Sequence, residues 1–197
     1  MKTSIASYSF HGLFREGLID LFGYLESCKF RYHLGAADIW NGMMAGLEAD
    51  YLYKVKRALE ERELLLVSLG VDDAHIWEDD PDQRERNYQV ALAHIRAGEM
   101  LGARTICIDS GGTGDAFTEE QFDWIVKRYR EFAQRAYDFG YKIGPENLWG
   151  PGALPENLLC ICRAVNHPGF GVLLHFCGDA GDAALAPWAM HVHFSWE

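Results

Sequence analysis

Short β-rich apolar runs alternate along the chain with longer segments in which apolar residues recur every three or four positions. Seven runs read as strands: residues 4–9, 36–40, 64–69, 105–109, 142–146, 171–176 and 190–194. Several are almost continuously apolar, as strands covered on both faces are. Strand and helix in regular alternation predict parallel strands joined by helical crossovers.

The helical segments carry sharper local signals. Phe122, Ile125, Tyr129, Phe132 and Ala136 fall on one face at helical spacing, because a 3.6-residue period returns side chains to the same side. Thr118 and Gln121 have the spacing of a capping box at its start, and Gly140 supplies its stop. A second helix covers residues 83–101 and closes at Gly102, Leu52, Val55 and Leu59 stripe a third, and Pro155 suits a first helical turn.

No Pro/Gly/Ser-rich linker or low-complexity stretch divides the chain, so residues 1–197 are expected to form one domain. The architecture expected is an α/β fold, a (β/α) barrel of the TIM type. A complete barrel of this type takes about 250 residues, so with seven strands this one is expected to be C-terminally short, its eighth strand missing.

Composition narrows the partners. Lys and Arg total 18 against 29 Asp and Glu, a formal charge of −11, and no basic run tracks a phosphate backbone, so nucleic acid is not an expected partner. The five cysteines form no CxxC pair, which fits reduced thiols and a cytoplasmic location. The first ten residues lack the pattern of a signal peptide, and no run of about 18 apolar residues would cross a bilayer, so no membrane association is expected.

In parallel βα folds the chemistry collects at the carboxyl ends of strands, where the loops share one mouth. Those ends carry His11, Trp40, Asn41, Asp72, Asp73, His75, Asp109, Glu146, Asn147, Trp149, His175, Asp179, His191 and His193. Adjacent parallel strands lie about 4.8 Å apart, so a carboxylate and two imidazoles on three successive strand ends can converge on one cation. Glu146, His175 and His193 meet that condition. Alternation puts His191 on the same face as His193, but His193 lies nearer the mouth and is the expected ligand.

The runs PENLWGP at 145–151, PENLL at 155–159, GVLL at 171–174 and HVH at 191–193, with Pro187, resemble the xylose-isomerase-like TIM-barrel superfamily of sugar phosphate isomerases and epimerases. VDDAH at 71–75, Arg84, LGA at 101–103 and DSGG at 109–112 extend the resemblance over nearly the whole chain. It implies a divalent metal (Mn, Mg, Co or Zn) held by Glu at strand five, Asp at strand six, the second His of an HxH at strand seven and Glu at strand eight. Glu146 and His193 match. His175 stands where the family has Asp, the eighth-strand Glu has no counterpart, Leu148 replaces a frequent His, and Ser195 replaces a common Lys. Replacing Asp by His leans the ligand set towards zinc, and Asp179 is a candidate to restore the lost carboxylate if its loop turns inward.

The resemblance implies a small sugar or sugar phosphate as substrate and a metal-assisted proton shift beside a carbonyl, with Glu146 as ligand and catalytic base. Trp40 and Trp149 would offer flat faces to the sugar, and His11, His75 and Asn147 would bond it. Two other readings stand beside this one: a degenerate or truncated barrel that binds without catalysis, and a metal-dependent hydrolase or lyase related to type-two apurinic endonucleases. Open strand edges also lead to the expectation of a homodimer.

Overall fold

The computed structural model describes residues 2–195. In chain order its regular elements are a 3-10 turn Ser7–Phe10, helices α1 (His11–Arg15) and α2 (Leu21–Glu26), strand β1 (Ala36–Trp40), α3 (Ala49–Glu61), β2 (Leu65–Val71), α4 (Pro81–Leu101) and β3 (Thr105–Ile108). There follow α5 (Glu119–Phe139), β4 (Lys142–Gly144), α6 (Pro155–Val165), β5 (Val172–His175), α7 (Ala180–Leu185) and β6 (Ala189–His193). The described residues form two compact units, one of residues 2–72 with Leu92–Arg104, the other of Asp73–Ala91 with residues 105–195.

In the first unit β1 and β2 pair in parallel from Ala36 opposite Leu65 to Trp40 opposite Gly70, with a bulge between Ala37 and Asp38. Ala36, Ala37, Ile39, Leu66 and Leu69 are buried there, with Leu21, Tyr24 and Leu25 of α2 and the Leu52, Val55 and Leu59 stripe of α3. Each buried Leu, Ile or Val side chain among these contributes roughly 1.5–3 kcal/mol on leaving water. The Tyr24 hydroxyl accepts the Asp38 N–H at 2.8 Å and donates to the Ile5 carbonyl at 2.6 Å, tying the amino-terminal segment to β1.

That segment departs from the sequence expectation. The first expected strand, residues 4–9, is reduced to one parallel bridge, Ala6 to Asp38, before the chain turns into Ser7–Phe10. The buried Ser7 hydroxyl accepts the Trp40 N–H at 2.8 Å. A side chain thus takes the backbone donor that a further ladder rung would need. Six strands, rather than seven, are formed among the described residues.

In the second unit β3 pairs with β4 and β5 with β6, all in parallel. Single bridges from Ile143 to Phe170 and from Glu146 to Leu173 carry β4 alongside β5. Pro145 interrupts the β4 ladder because it has no N–H, yet its carbonyl still accepts the Leu173 N–H at 2.9 Å. Helix α5 opens on the Thr118/Gln121 capping box and closes on Gly140 at φ 81°, a left-handed value that glycine adopts without steric cost. Its inward stripe of Ile125, Tyr129, Phe132 and Ala136 is buried, and the Tyr129 hydroxyl donates to the Ile108 carbonyl at 2.7 Å.

Candidate metal centre

The centre is assembled from the carboxyl ends of β4, β5 and β6. A Cβ on Gly144 would lie 1.8 Å from the Gly171 carbonyl oxygen, so only glycine permits this approach of the two chains. Two residues on, the Glu146 N–H donates to Asp109 Oδ1 at 3.2 Å, which anchors the end of β4 to the end of β3. Asn147 then grips β5: its Nδ2 donates to the His175 carbonyl at 3.0 Å and its Oδ1 accepts the His175 N–H at 2.6 Å. His175 and His193 are register partners at the last rung of the β5–β6 ladder.

With the backbones so placed, three side chains meet. Glu146 Oε1 lies 3.0 Å from His175 Nδ1 and 3.1 Å from His193 Nδ1, and one potential ligand atom from each residue falls within 4.8 Å of the other two. Side-chain exposures of 15% for Glu146, 20% for His175 and 26% for His193 show a shielded cluster that still opens to solvent. On the far side of the ring, His175 Nε2 is 3.1 Å from the Ser195 hydroxyl, which can fix the tautomer.

The donor set fits a divalent ion. Bonds of about 2.0–2.2 Å from imidazole nitrogen and carboxylate oxygen place neighbouring ligand atoms about 3 Å apart, which is the spacing of Oε1 from each Nδ1. Two imidazoles and one carboxylate suit zinc, iron or cobalt better than magnesium, whose ligands are predominantly oxygen.

The other expected site residues fall elsewhere. Asn147 is buried, and its amide is committed to the His175 backbone rather than presented to a sugar. Asp179 does not turn inward: it caps α7, its Oδ1 accepting the Gly181 and Asp182 N–H groups at 2.7 and 3.3 Å. Asp182, which the sequence did not single out, is buried and gathers the N–H groups of Cys177, Gly178 and Asp179 on one oxygen. It thereby shapes the turn that leaves β5. The aspartate-first pattern of a helix start, with Asp182 at the third helical position, was the available signal.

His191 packs edge-on against His193 at 5.3 Å between ring centres, while it is His193 that reaches Glu146. Trp149 stands 67% exposed beyond β4, and Phe176 and Phe194 flank the ends of β5 and β6 with ring centres 5.0 Å apart. His75 bonds Glu78 at 3.2 Å. His11 and Trp40 belong to the first unit, where His11 stacks on Tyr8 at 4.7 Å and Trp40 meets Tyr8 edge-on at 5.1 Å. The Trp40 indole N–H donates to Asp72.

Parallel strands alternating with helices, bearing carboxylate and imidazoles at strand ends, define an α/β protein of the TIM-barrel type. The chain belongs to the xylose isomerase-like TIM barrel family, whose model matches residues 34–181. By sequence, no curated protein matches it. Among solved structures it is similar to the probable 3-DHS dehydratase AsbF of Bacillus anthracis, with 17% identity, 98% of this chain and 73% of that chain covered, and a TM-score of 0.76. It is similar also to a D-psicose 3-epimerase solved in the presence of D-fructose, with 14% identity, 99% and 73% covered, and a TM-score of 0.77. A third, a xylose isomerase-like TIM barrel protein from Mycobacterium smegmatis in complex with magnesium, is 15% identical over 85% of this chain and 63% of that one, at a TM-score of 0.66. At such identities the likeness establishes the fold. Among the described residues no helix is long and apolar enough to cross a membrane.

Proposed function

We propose that the chain is a divalent-metal-dependent sugar or sugar phosphate isomerase/epimerase, moving a proton at the carbon beside a carbonyl. The observation that carries this reading is the placement of Glu146 Oε1 between the Nδ1 atoms of His175 and His193. In support stand the family match and the epimerases among the similar structures.

Glu146, His175 and His193 would hold the ion, which when bound polarises the substrate carbonyl and makes the neighbouring C–H more acidic. Glu146 Oε1 is turned to the imidazoles, while its Oε2 has no hydrogen-bond partner among the described residues. That second oxygen is the one to take a proton from the substrate carbon. The exposed indole face of Trp149, three residues on, offers a flat apolar surface to the C–H side of a sugar.

Exchange of substrate C–H for deuterium tests this without knowing the product. Proton NMR in D2O, with a panel of ketoses, aldoses and their phosphates and with Zn, Co, Mn or Mg added, should show metal-dependent loss of the signal beside the carbonyl for at least one sugar. Glu146→Gln should abolish it. Exchange that persists in Glu146→Gln, or is absent from every sugar and metal combination, would contradict the reading.

A further inference from the structure

The geometry points to a second site in the same unit: an oxyanion site for a phosphoryl group, built from His75, Arg84 in the first turn of α4 and Arg128 in the third turn of α5. It stands independently of the metal centre. The loop after β2 brings His75 there, pinned by Ile76 N–H to the Asp109 carbonyl at 3.0 Å and Trp77 N–H to the Ser110 carbonyl at 2.9 Å. Because Asp109 also receives the Glu146 N–H, both sites lie at the same end of the strands.

Aromatic rings hold both guanidinium groups. Arg84 lies over Trp77 at 4.0 Å and over Trp124 at 5.2 Å, and Arg128 lies over Tyr88 at 4.0 Å and over Trp124 at 5.0 Å. These contacts fix where the cations sit without using up their N–H donors. Arg128 gives one N–H to Glu131 at 2.8 Å, and His75 turns Nδ1 to Glu78 at 3.2 Å. The Arg84 side chain has no carboxylate or hydrogen-bond partner among the described residues, although acidic residues outnumber basic ones, 29 to 18. All three side chains line one small cleft.

A guanidinium fork matches two oxygens of a tetrahedral oxyanion, and two preplaced forks favour a dianionic phosphoryl group over a carboxylate. A surface arginine merely stacked on tryptophan would show no such preference.

Calorimetric titration of the full chain with inorganic phosphate at low ionic strength tests the site. Saturable binding of one phosphate per chain is expected, weakened about tenfold or more in Arg84→Gln and in Arg128→Gln. Arg57→Gln, which alters an exposed ion pair with Glu61 in the other unit, should bind as the unaltered chain does. Should Arg84→Gln fail to fold, Arg84→Lys carries the test, since it keeps the charge, loses the planar fork and should bind several-fold more weakly. Absence of saturable binding, or equal affinity in the Arg84 and Arg57 variants, overturns the proposal. Displacement of phosphate by fructose 6-phosphate but not by fructose assigns the site to a phosphorylated metabolite. Phosphate binding that fructose 6-phosphate leaves untouched assigns it to the free ion, and both results retain the anion site.

Discussion

Asn147 holds the backbone of His175 at both ends of its amide, donating to the carbonyl at 3.0 Å and accepting from the N–H at 2.6 Å. The residue beside the candidate base therefore sets the height of the neighbouring candidate ligand. Asn147→Ala removes both bonds from a part-buried stretch of backbone, leaving the His175 carbonyl only the Cys177 thiol at 3.5 Å, at a cost of about 1–3 kcal/mol in stability. Thermal unfolding should show the loss, and metal affinity should fall with it. Unchanged affinity in a folded variant would separate Asn147 from the positioning of His175.

Gly144 permits the close passage of β4 past Gly171 that brings Glu146 level with β5. Gly144→Ala must push the two backbones apart, and overpacking of this kind costs about 1–3 kcal/mol or more. A lowered unfolding midpoint together with weakened metal binding is expected. A variant as stable as the parent would show that the approach relaxes freely.

The Thr118/Gln121 capping box satisfies two N–H groups at the start of α5. Thr118→Ala should cost about 1 kcal/mol, a fall of roughly 2–4 °C in Tm for a chain of this size. Metal affinity should not change, because the Thr118 and Gln121 side chains bond each other's backbone across the cap and make none of the bonds of the Glu146, His175 and His193 cluster. Calorimetry on the variant checks the first point and titration the second.

Burial pushes the Cys162 thiol up from 9.0 to about 12, and burial raises the phenols of Tyr129 and Tyr24 well above 10.0. The native chain therefore keeps protons that the unfolded chain releases, and stability falls as pH rises. For Cys162 the contribution is intact below pH 9.0 and is lost progressively up to about pH 12. Each such group adds a slope of up to about 1.4 kcal/mol per pH unit inside its window. Melting curves at about pH 8 and pH 10.5 should show a clear drop, and an unchanged midpoint would contradict the assignment.

Local signals carried much of the fold. The face of α5, its cap, the Gly140 stop and the α3 stripe were legible because each depends on spacing within a single helix. The parallel strands were legible because their apolar runs alternate with those helices. The convergence of Glu146, His175 and His193 also followed from the sequence, since one residue at each of three strand ends must share a mouth. What was hidden depends on choices between competing hydrogen bonds. Ser7 takes the Trp40 N–H and so ends the first expected strand, Asn147 turns to the backbone, and Asp179 turns to its own helix. Nothing in residue type alone decides whether a polar side chain faces a ligand or a neighbouring amide.

Direct titration of metal-free protein with Co(II) and Zn(II) tests whether Glu146, His175 and His193 hold one cation. One ion per chain should bind, and Glu146→Gln, His175→Ala and His193→Ala should each lower the affinity at least about a hundredfold, whereas His75→Ala should not. Absence of stoichiometric binding, or full affinity in any of the three variants, would contradict the account.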